Sequence, residues 1–133
     1  MRRKLTKEDL VNMGINVQLD NNEECGFKIY HKSQLRLKTT ELHPVKNVKH
    51  HKYGKDKTYY IISWSQLGKT LSFPLQRVIY AWYYEECPND KDVDHIDNDS
   101  LNNHPDNLQL LSRKENIAKR YVQGNQWTAL RGE

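Results

Sequence analysis

The sequence predicts an α+β fold in which a small antiparallel β-meander and a helix precede a strand–loop–strand–helix unit. Three observations carry that expectation. The run Thr58-Tyr59-Tyr60-Ile61-Ile62-Ser63-Trp64 is rich in β-branched and aromatic residues and lies between two turn-like clusters, Tyr53-Gly54-Lys55-Asp56 and Gln66-Leu67-Gly68-Lys69. Leu75, Val78, Ile79, Trp82 and Tyr83 recur at helical spacing directly after Pro74, a residue tolerated in the first turn of a helix. Finally, VDHIDNDSLNNHPDNLQLLSRKENIAKR, residues 93–120, sets short aliphatic groups on either side of a long polar run.

Taken in order, Thr6 before Lys7-Glu8-Asp9, with Leu10, Val11 and Met13 following and Gly14 beyond, predicts a short N-capped helix stopped by glycine. Its leader Arg2-Arg3-Lys4 is expected to be a basic arm. Residues 16–26, crowded with Asp20, Asn21, Asn22, Glu23, Glu24 and Gly26, read as a loop, and Phe27 to Tyr30 as a short strand. Val48, the 58–64 run and Thr70 to Phe73 form the three strands of the meander. The helix after Pro74 is expected to reach Glu85 or Glu86, with Pro88 ending it and its apolar stripe laid on the meander. Val93 and Ile96 bracket a brief strand, Asp97 to Asn107 is too polar for a strand interior, and Leu108, Leu110 and Leu111 suit a returning antiparallel strand. Ser112 with Glu115 spells a capping box, so a helix starts there and carries Asn116. The tail from Gly124 to Glu133 is expected to be loosely held despite Trp127.

A chain of 133 residues has room for one domain with an appended arm, which argues against a two-domain enzyme. Only 36% of it is hydrophobic, so three Trp, eight Tyr and two Phe must close a thin core. Trp64, Trp82 and the tyrosines are therefore assigned to packing before base stacking. No apolar run approaches the roughly 20 residues that cross a bilayer, and no apolar signal segment follows the charged N-terminus. A soluble, cytoplasmic protein without membrane partners is expected. Cys25 and Cys87 are distant and outside any CxxC, which fits reduced thiols rather than a disulfide framework or a four-cysteine zinc site.

Charge is divided along the chain. Residues 1–80 hold fifteen Lys and Arg against seven Asp and Glu, a balance of +8, while residues 81–133 hold six against ten, a balance of −4. The basic part suits a polyanion such as nucleic acid, and the acidic part would repel phosphate unless a cation lay between them. Lys46, Lys49, Lys52, Lys55 and Lys57 crowd one hairpin and are candidate phosphate contacts, as are His104, Arg113 and Lys114 nearer the polar loop. His50 and His51 are expected to point to opposite faces of a strand, and His31 and His43 receive no role.

Folded as strand, loop, strand and helix, the 93–120 stretch brings Asp94-His95 near Asn116. Asp94 and Asn116 offer oxygen, the donor that hard divalent cations prefer, leaving further positions for water and substrate phosphate. His95 must sit at a strand end or bulge to share a site with its neighbour, where a neutral imidazole can take a proton from an attacking water. Asn107, at the end of the loop, is assigned a structural role, its side chain holding local backbone.

These residues resemble the HNH endonucleases and their ββα-metal core. His95, Asn107 and Asn116 look like the three letters of the motif in its His-Asn-Asn variant, and Asp94 matches the aspartate that precedes the first histidine. DNDSLNNHPDNLQLLSRKEN is similar in wording and spacing to phage and intron-associated members, the homing-type subgroup, and YYIISWSQLGKTLSFPLQRVIYAWYYEECP, residues 59–88, resembles the segment preceding the motif there. The resemblance implies catalytic residues His95, Asp94 and Asn116, with His95 as general base and Asn107 as loop brace. It implies one divalent cation held by Asp94 and Asn116, Mg²⁺ with Mn²⁺ as the alternative, and no structural zinc, since the cysteine pairs of some members are absent. Double-stranded DNA is the implied partner and phosphodiester hydrolysis the implied reaction. Asp99 stands where a glycine-rich turn is common and His104 where Arg is frequent, which places His104 at the surface or against DNA.

The domain reading is thus a basic N-terminal region at 1–57, a nuclease domain at 58–120 with its core at about 91–120, and a tail at 121–133. The protein is expected to be a monomer. A DNA-binding module that keeps the scaffold without hydrolysis is the competing reading, and RNA or a structured junction as substrate is a third.

Overall fold

The computed structural model describes residues 4–50 and 56–120. Along the chain the elements are β1 (Leu5–Thr6), α1 (Lys7–Asn12), β2 (Ile15–Leu19), β3 (Phe27–Lys32), β4 (Thr39–Leu42), β5 (Val45–Lys49), β6 (Lys57–Gln66), β7 (Lys69–Pro74), α2 (Leu75–Tyr84), β8 (Glu86–Cys87), β9 (Asp92–His95), β10 (Leu108–Leu111) and α3 (Arg113–Arg120). The strands pair antiparallel as β2-β3-β4, β5-β6-β7, β1-β8 and β9-β10, so the fold is mixed α and β with antiparallel sheets.

Thr6 caps α1 through a reciprocal pair, Asp9 N donating to Thr6 Oγ1 at 3.0 Å and Thr6 N to Asp9 Oδ2 at 3.2 Å. Gly14 follows with φ +84°, and a Cβ built there would lie 2.3 Å from the Lys32 carbonyl oxygen, so this close crossing of β3 requires glycine. The loop expected over residues 16–26 begins later than the sequence suggested. Ile15 and Val17 turn inward while Asn16 and Gln18 face out, the alternation of a half-buried strand, and β2 pairs with β3 from Ile15↔His31 to Leu19↔Phe27. The Asp- and Asn-rich cluster hid that short alternation and occupies only the turn, where Asn22 N donates to Asp20 Oδ1 at 2.9 Å.

In the meander, β5 pairs with β6 from Val45↔Ile61 to Lys49↔Lys57, and β6 with β7 from Ile61↔Pro74 to Gln66↔Lys69. Leu67 and Gly68 between them both have positive φ, +50° and +82°, the signature of a two-residue hairpin turn matched to the strand twist. The turn expected at 53–56 lies outside the described residues except for Asp56, as do His51, Lys52, Lys55, the Arg2-Arg3 arm and the tail with Trp127.

The helix after Pro74 stops sooner than Pro88 would require. Glu85 takes φ +69°, and Glu86–Cys87 leaves as a strand that pairs with β1, Leu5 opposite Cys87, while Lys7 N donates to Glu85 O at 2.8 Å. A partner strand some eighty residues upstream competes for those backbone groups, which no local signal reveals.

Leu75, Val78, Ile79 and Ala81 of α2 are fully buried and share one apolar cluster with Tyr60, Ile62 and Trp64 of β6 and with Leu10, Ile15, Val17, Phe27 and Ile29. Trp64 stacks on Phe73 at 5.4 Å between ring centroids, and Lys7 Nζ lies 5.0 Å over the half-buried Trp82 ring. Residues before and after position 57 therefore contribute to one core, and 57 is itself the first residue of β6. Cys25 and Cys87 are free thiols, half-buried and buried. Among the described residues no helix is long and apolar enough to cross a membrane.

Candidate active site

β9 and β10 form a hairpin in which His95 faces Leu108, Asp94 faces Gln109, Val93 faces Leu110 and Asp92 faces Leu111. Ile96, expected in the strand, is instead half exposed in the following turn, because β9 closes when Ile96 N donates to Asn107 O at 2.8 Å. Ser112 and Glu115 cap α3 by the reciprocal bonds of a capping box, 3.0 and 3.1 Å, and the helix then lies along the hairpin.

The loop from 96 to 107 is held by its own side chains. Asn107 Nδ2 donates to Asp97 Oδ1 at 2.9 Å and to Asn102 O at 2.8 Å, while its Oδ1 accepts from Asp97 N at 3.1 Å. Asn102 Nδ2 donates to the other oxygen of Asp97 at 2.9 Å. Burial alone would raise the Asp97 carboxyl, but the bonds from Asn102, the Asp99 backbone and Asn107 together hold it below its ordinary value. Ser100 Oγ donates to Thr58 O on β6, and Tyr84 Oη donates to Pro105 O at 2.8 Å, which anchors the loop to the meander and to α2.

His95 ends β9 and is buried, with Nε2 2.7 Å from Oδ1 of Asn103, a loop residue only 1% exposed. Burial pushes this imidazole below its ordinary value, and the Asn103 bond and the charges of Asp94 and Asp97 oppose the shift without reversing it. A neutral imidazole near pH 7 follows, the form that can accept a proton.

Asp94 and Asn116 face the same helix–hairpin seam, but no hydrogen bond joins them among the described residues. Oδ2 of Asp94 accepts from Gln109 Nε2 at 2.8 Å and from the ammonium of Lys119, which also donates to His95 O at 2.9 Å. Asn116 Nδ2 donates to Asp92 Oδ2 at 3.1 Å. Asp92 and Asp94 sit two residues apart on one strand face, and Asn116 and Lys119 three apart on one helix face, so the four meet as two polar pairs.

Whether a divalent cation fits can be judged from the donors. Oδ1 of Asp94 and Oδ1 of Asn116 have no hydrogen-bond partner among the described residues, and both are hard oxygen donors. The Lys119 ammonium, 6% exposed, shows that Asp94 and the His95 carbonyl attract positive charge. No three His, Cys, Asp or Glu side chains gather as a metal cage among the described residues, so a cation here would depend on these two oxygens, water and substrate.

The other sequence-predicted positions are scattered. Lys46 is tied to Glu24 at 2.7 Å, Lys49 and Lys57 face each other at the end of β5-β6 where the chain connects the two strands, and His50 Nδ1 lies 2.9 Å from Asp56 Oδ2. His104 is exposed, its Nδ1 accepting from Asp106 N at 3.2 Å, and Arg113 and Lys114 are exposed on the first turn of α3. Four residues at the site, Asp92, Asn103, Gln109 and Lys119, were not singled out in the sequence. The first and last lie at i−2 from Asp94 and i+3 from Asn116, and Gln109 follows from the hairpin register. Nothing local distinguishes Asn103 from its polar neighbours.

Residues 73–118, from the end of β7 into α3, match the family model described as HNH endonuclease, so over this stretch the chain is similar to that family. No curated protein and no solved structure matches the chain.

Proposed function

We propose that the 92–119 unit is the catalytic part of a metal-dependent HNH endonuclease of phage or homing type that hydrolyses phosphodiester bonds in double-stranded DNA. The observation that carries the reading is a buried, neutral imidazole one residue from Asp94, in a hairpin crossed by the helix that carries Asn116, inside the stretch that resembles HNH endonucleases. His95 takes a proton from water; the water oxygen forms the new bond to phosphorus. One P–O bond to a deoxyribose oxygen breaks and the departing alkoxide takes a proton from solvent. Asp94 and Asn116 would hold Mg²⁺ or Mn²⁺ through oxygen. Bound there, the cation supplies charge stabilisation for the phosphate and the leaving oxygen. Exposed Lys49, Lys57, Arg113 and Lys114 would contact phosphate without reading sequence.

A second reading has an observation in its favour. Lys119 already occupies Asp94 and Asn116 is turned to Asp92, the arrangement of a scaffold that binds DNA without cutting it.

Supercoiled plasmid incubated with and without Mg²⁺ or Mn²⁺ tests both. Wild type is expected to give metal-dependent nicked or linear product, and His95→Ala to lower the rate by about 10²–10⁴-fold with DNA retention in a gel unchanged. Retention of plasmid without metal-dependent product would establish the binding module instead, and an active His95→Ala would remove the assigned base.

A further inference from the structure

We infer that Asn103 is the positioning residue for His95, fixing which ring nitrogen carries the proton and leaving Nδ1 as the base. The inference rests on the nuclease reading for its catalytic consequence but on geometry for its content. An imidazole in a protein core can rotate and exchange tautomers unless one nitrogen is held. Here Nε2 lies 2.7 Å from the Asn103 side-chain oxygen, which can only accept, so Nε2 carries the hydrogen and donates it. Nδ1 then keeps its lone pair, and it has no hydrogen-bond partner among the described residues. Asn103 is itself 1% exposed on a loop braced by Asp97 and Asn107, so the acceptor has little freedom to leave. Its Nδ2 is buried without a partner among the described residues, which carries a desolvation cost. A leucine of similar volume would avoid that cost, so the retained carboxamide is explained by what its oxygen does for His95.

The role is therefore that of the third group in a nucleophile–base–orienter chain, with Asn103 touching neither water nor phosphate. Three measurements on the full chain test it. Long-range ¹H–¹⁵N spectra of the imidazoles, with His95 assigned by its loss in His95→Gln, are expected to show the Nε2–H tautomer in wild type and a mixture in Asn103→Leu. Asn103→Leu is expected to lower kcat on supercoiled plasmid by about 10–100-fold at unchanged KM, and Asn103→Asp, which keeps an acceptor oxygen, to recover a large part of it. In a His95→Ala background Asn103→Leu should change nothing further, whereas a residue that merely supports the fold would lower the residual rate again. An Nδ1–H tautomer in wild type, or additive losses in the double variant, overturns the inference. If wild type cuts no DNA, the nuclease reading fails, while the tautomer spectra still decide whether Asn103 holds the ring; if Asn103→Leu does not fold, Asn103→Asp and the wild-type spectrum decide it.

Discussion

The two ends of the molecule are buried by different chemistry. From β1 to β8 the interior is mainly aliphatic and aromatic, with Leu10, Ile29, Ile62, Leu75, Val78 and Ile79 at 0–1% exposure and His31 and Arg77 as its buried polar residues. From β9 to α3 the buried residues include His95, Asn103 and Lys119 beside Leu108 and Leu111. A residue such as Ile79 can be satisfied by any well-packed neighbour, because burial of apolar area has no direction. Asp94, Lys119, His95 and Asn103 each need a particular partner atom at a particular angle, since an unmatched polar group in the interior costs more than a hydrogen bond returns. The first region can thus tolerate drift without losing its purpose. In the second the shape of the polar network and its stability are one property, which suits a place where a proton or a cation must be held.

Ile79→Ala should have the largest effect on stability, about 4 kcal/mol, since it removes a fully buried aliphatic side chain from the middle of α2. Urea unfolding would measure it, and a loss under 1 kcal/mol would mean that α2 is not seated on the meander. Lys119→Met asks the same of the polar region. It leaves the Asp94 carboxylate, 14% exposed and still bonded to Gln109, without its cation, for an expected loss of about 3 kcal/mol at the low end for a broken buried pair. The sharper contrast is in the response to metal. Saturating Mn²⁺ should raise the Tm of Lys119→Met by more than that of wild type, because Asp94 no longer has a resident ammonium to displace, whereas Ile79→Ala should show the wild-type increment. Equal increments in all three proteins would take Asp94 out of any cation site.

How much of this was legible depended on whether the signal was local. The meander and α2 were readable because Thr58–Trp64 and Leu75–Tyr83 each carry an uninterrupted period, and because Leu67-Gly68 and Ser112–Glu115 spell their own turn and cap. β2 was lost because Ile15 and Val17 give only two inward positions before the Asp- and Asn-rich turn overwhelms the window. β8 was lost because its partner, Leu5–Thr6, lies at the other end of the chain. At the site the sequence could name Asp94, His95 and Asn116, but not their partners. That Asp94 meets Lys119, Asn116 meets Asp92 and His95 meets Asn103 is set by the phase of α3 and the path of the 96–107 loop, quantities no residue spacing specifies.

The smallest expected effect separates the two regions by pH. His95 titrates below its ordinary value in the folded chain, chiefly because burial disfavours the charged ring, and returns to about 6.5 on unfolding. The unfolded state therefore takes up the proton first. Stability from this group is complete above pH 6.5 and is lost as pH falls from there toward the folded value, at no more than about 1.4 kcal/mol per pH unit. His95→Gln should therefore flatten the wild-type decline in urea midpoint between pH 7.5 and pH 5.5, while Ile79→Ala, which removes no titratable group, should shift the whole curve down without changing its slope. If His95→Gln and wild type decline in parallel, His95 is not held neutral by burial, and the proton acceptor at the end of β9 must be sought in another side chain.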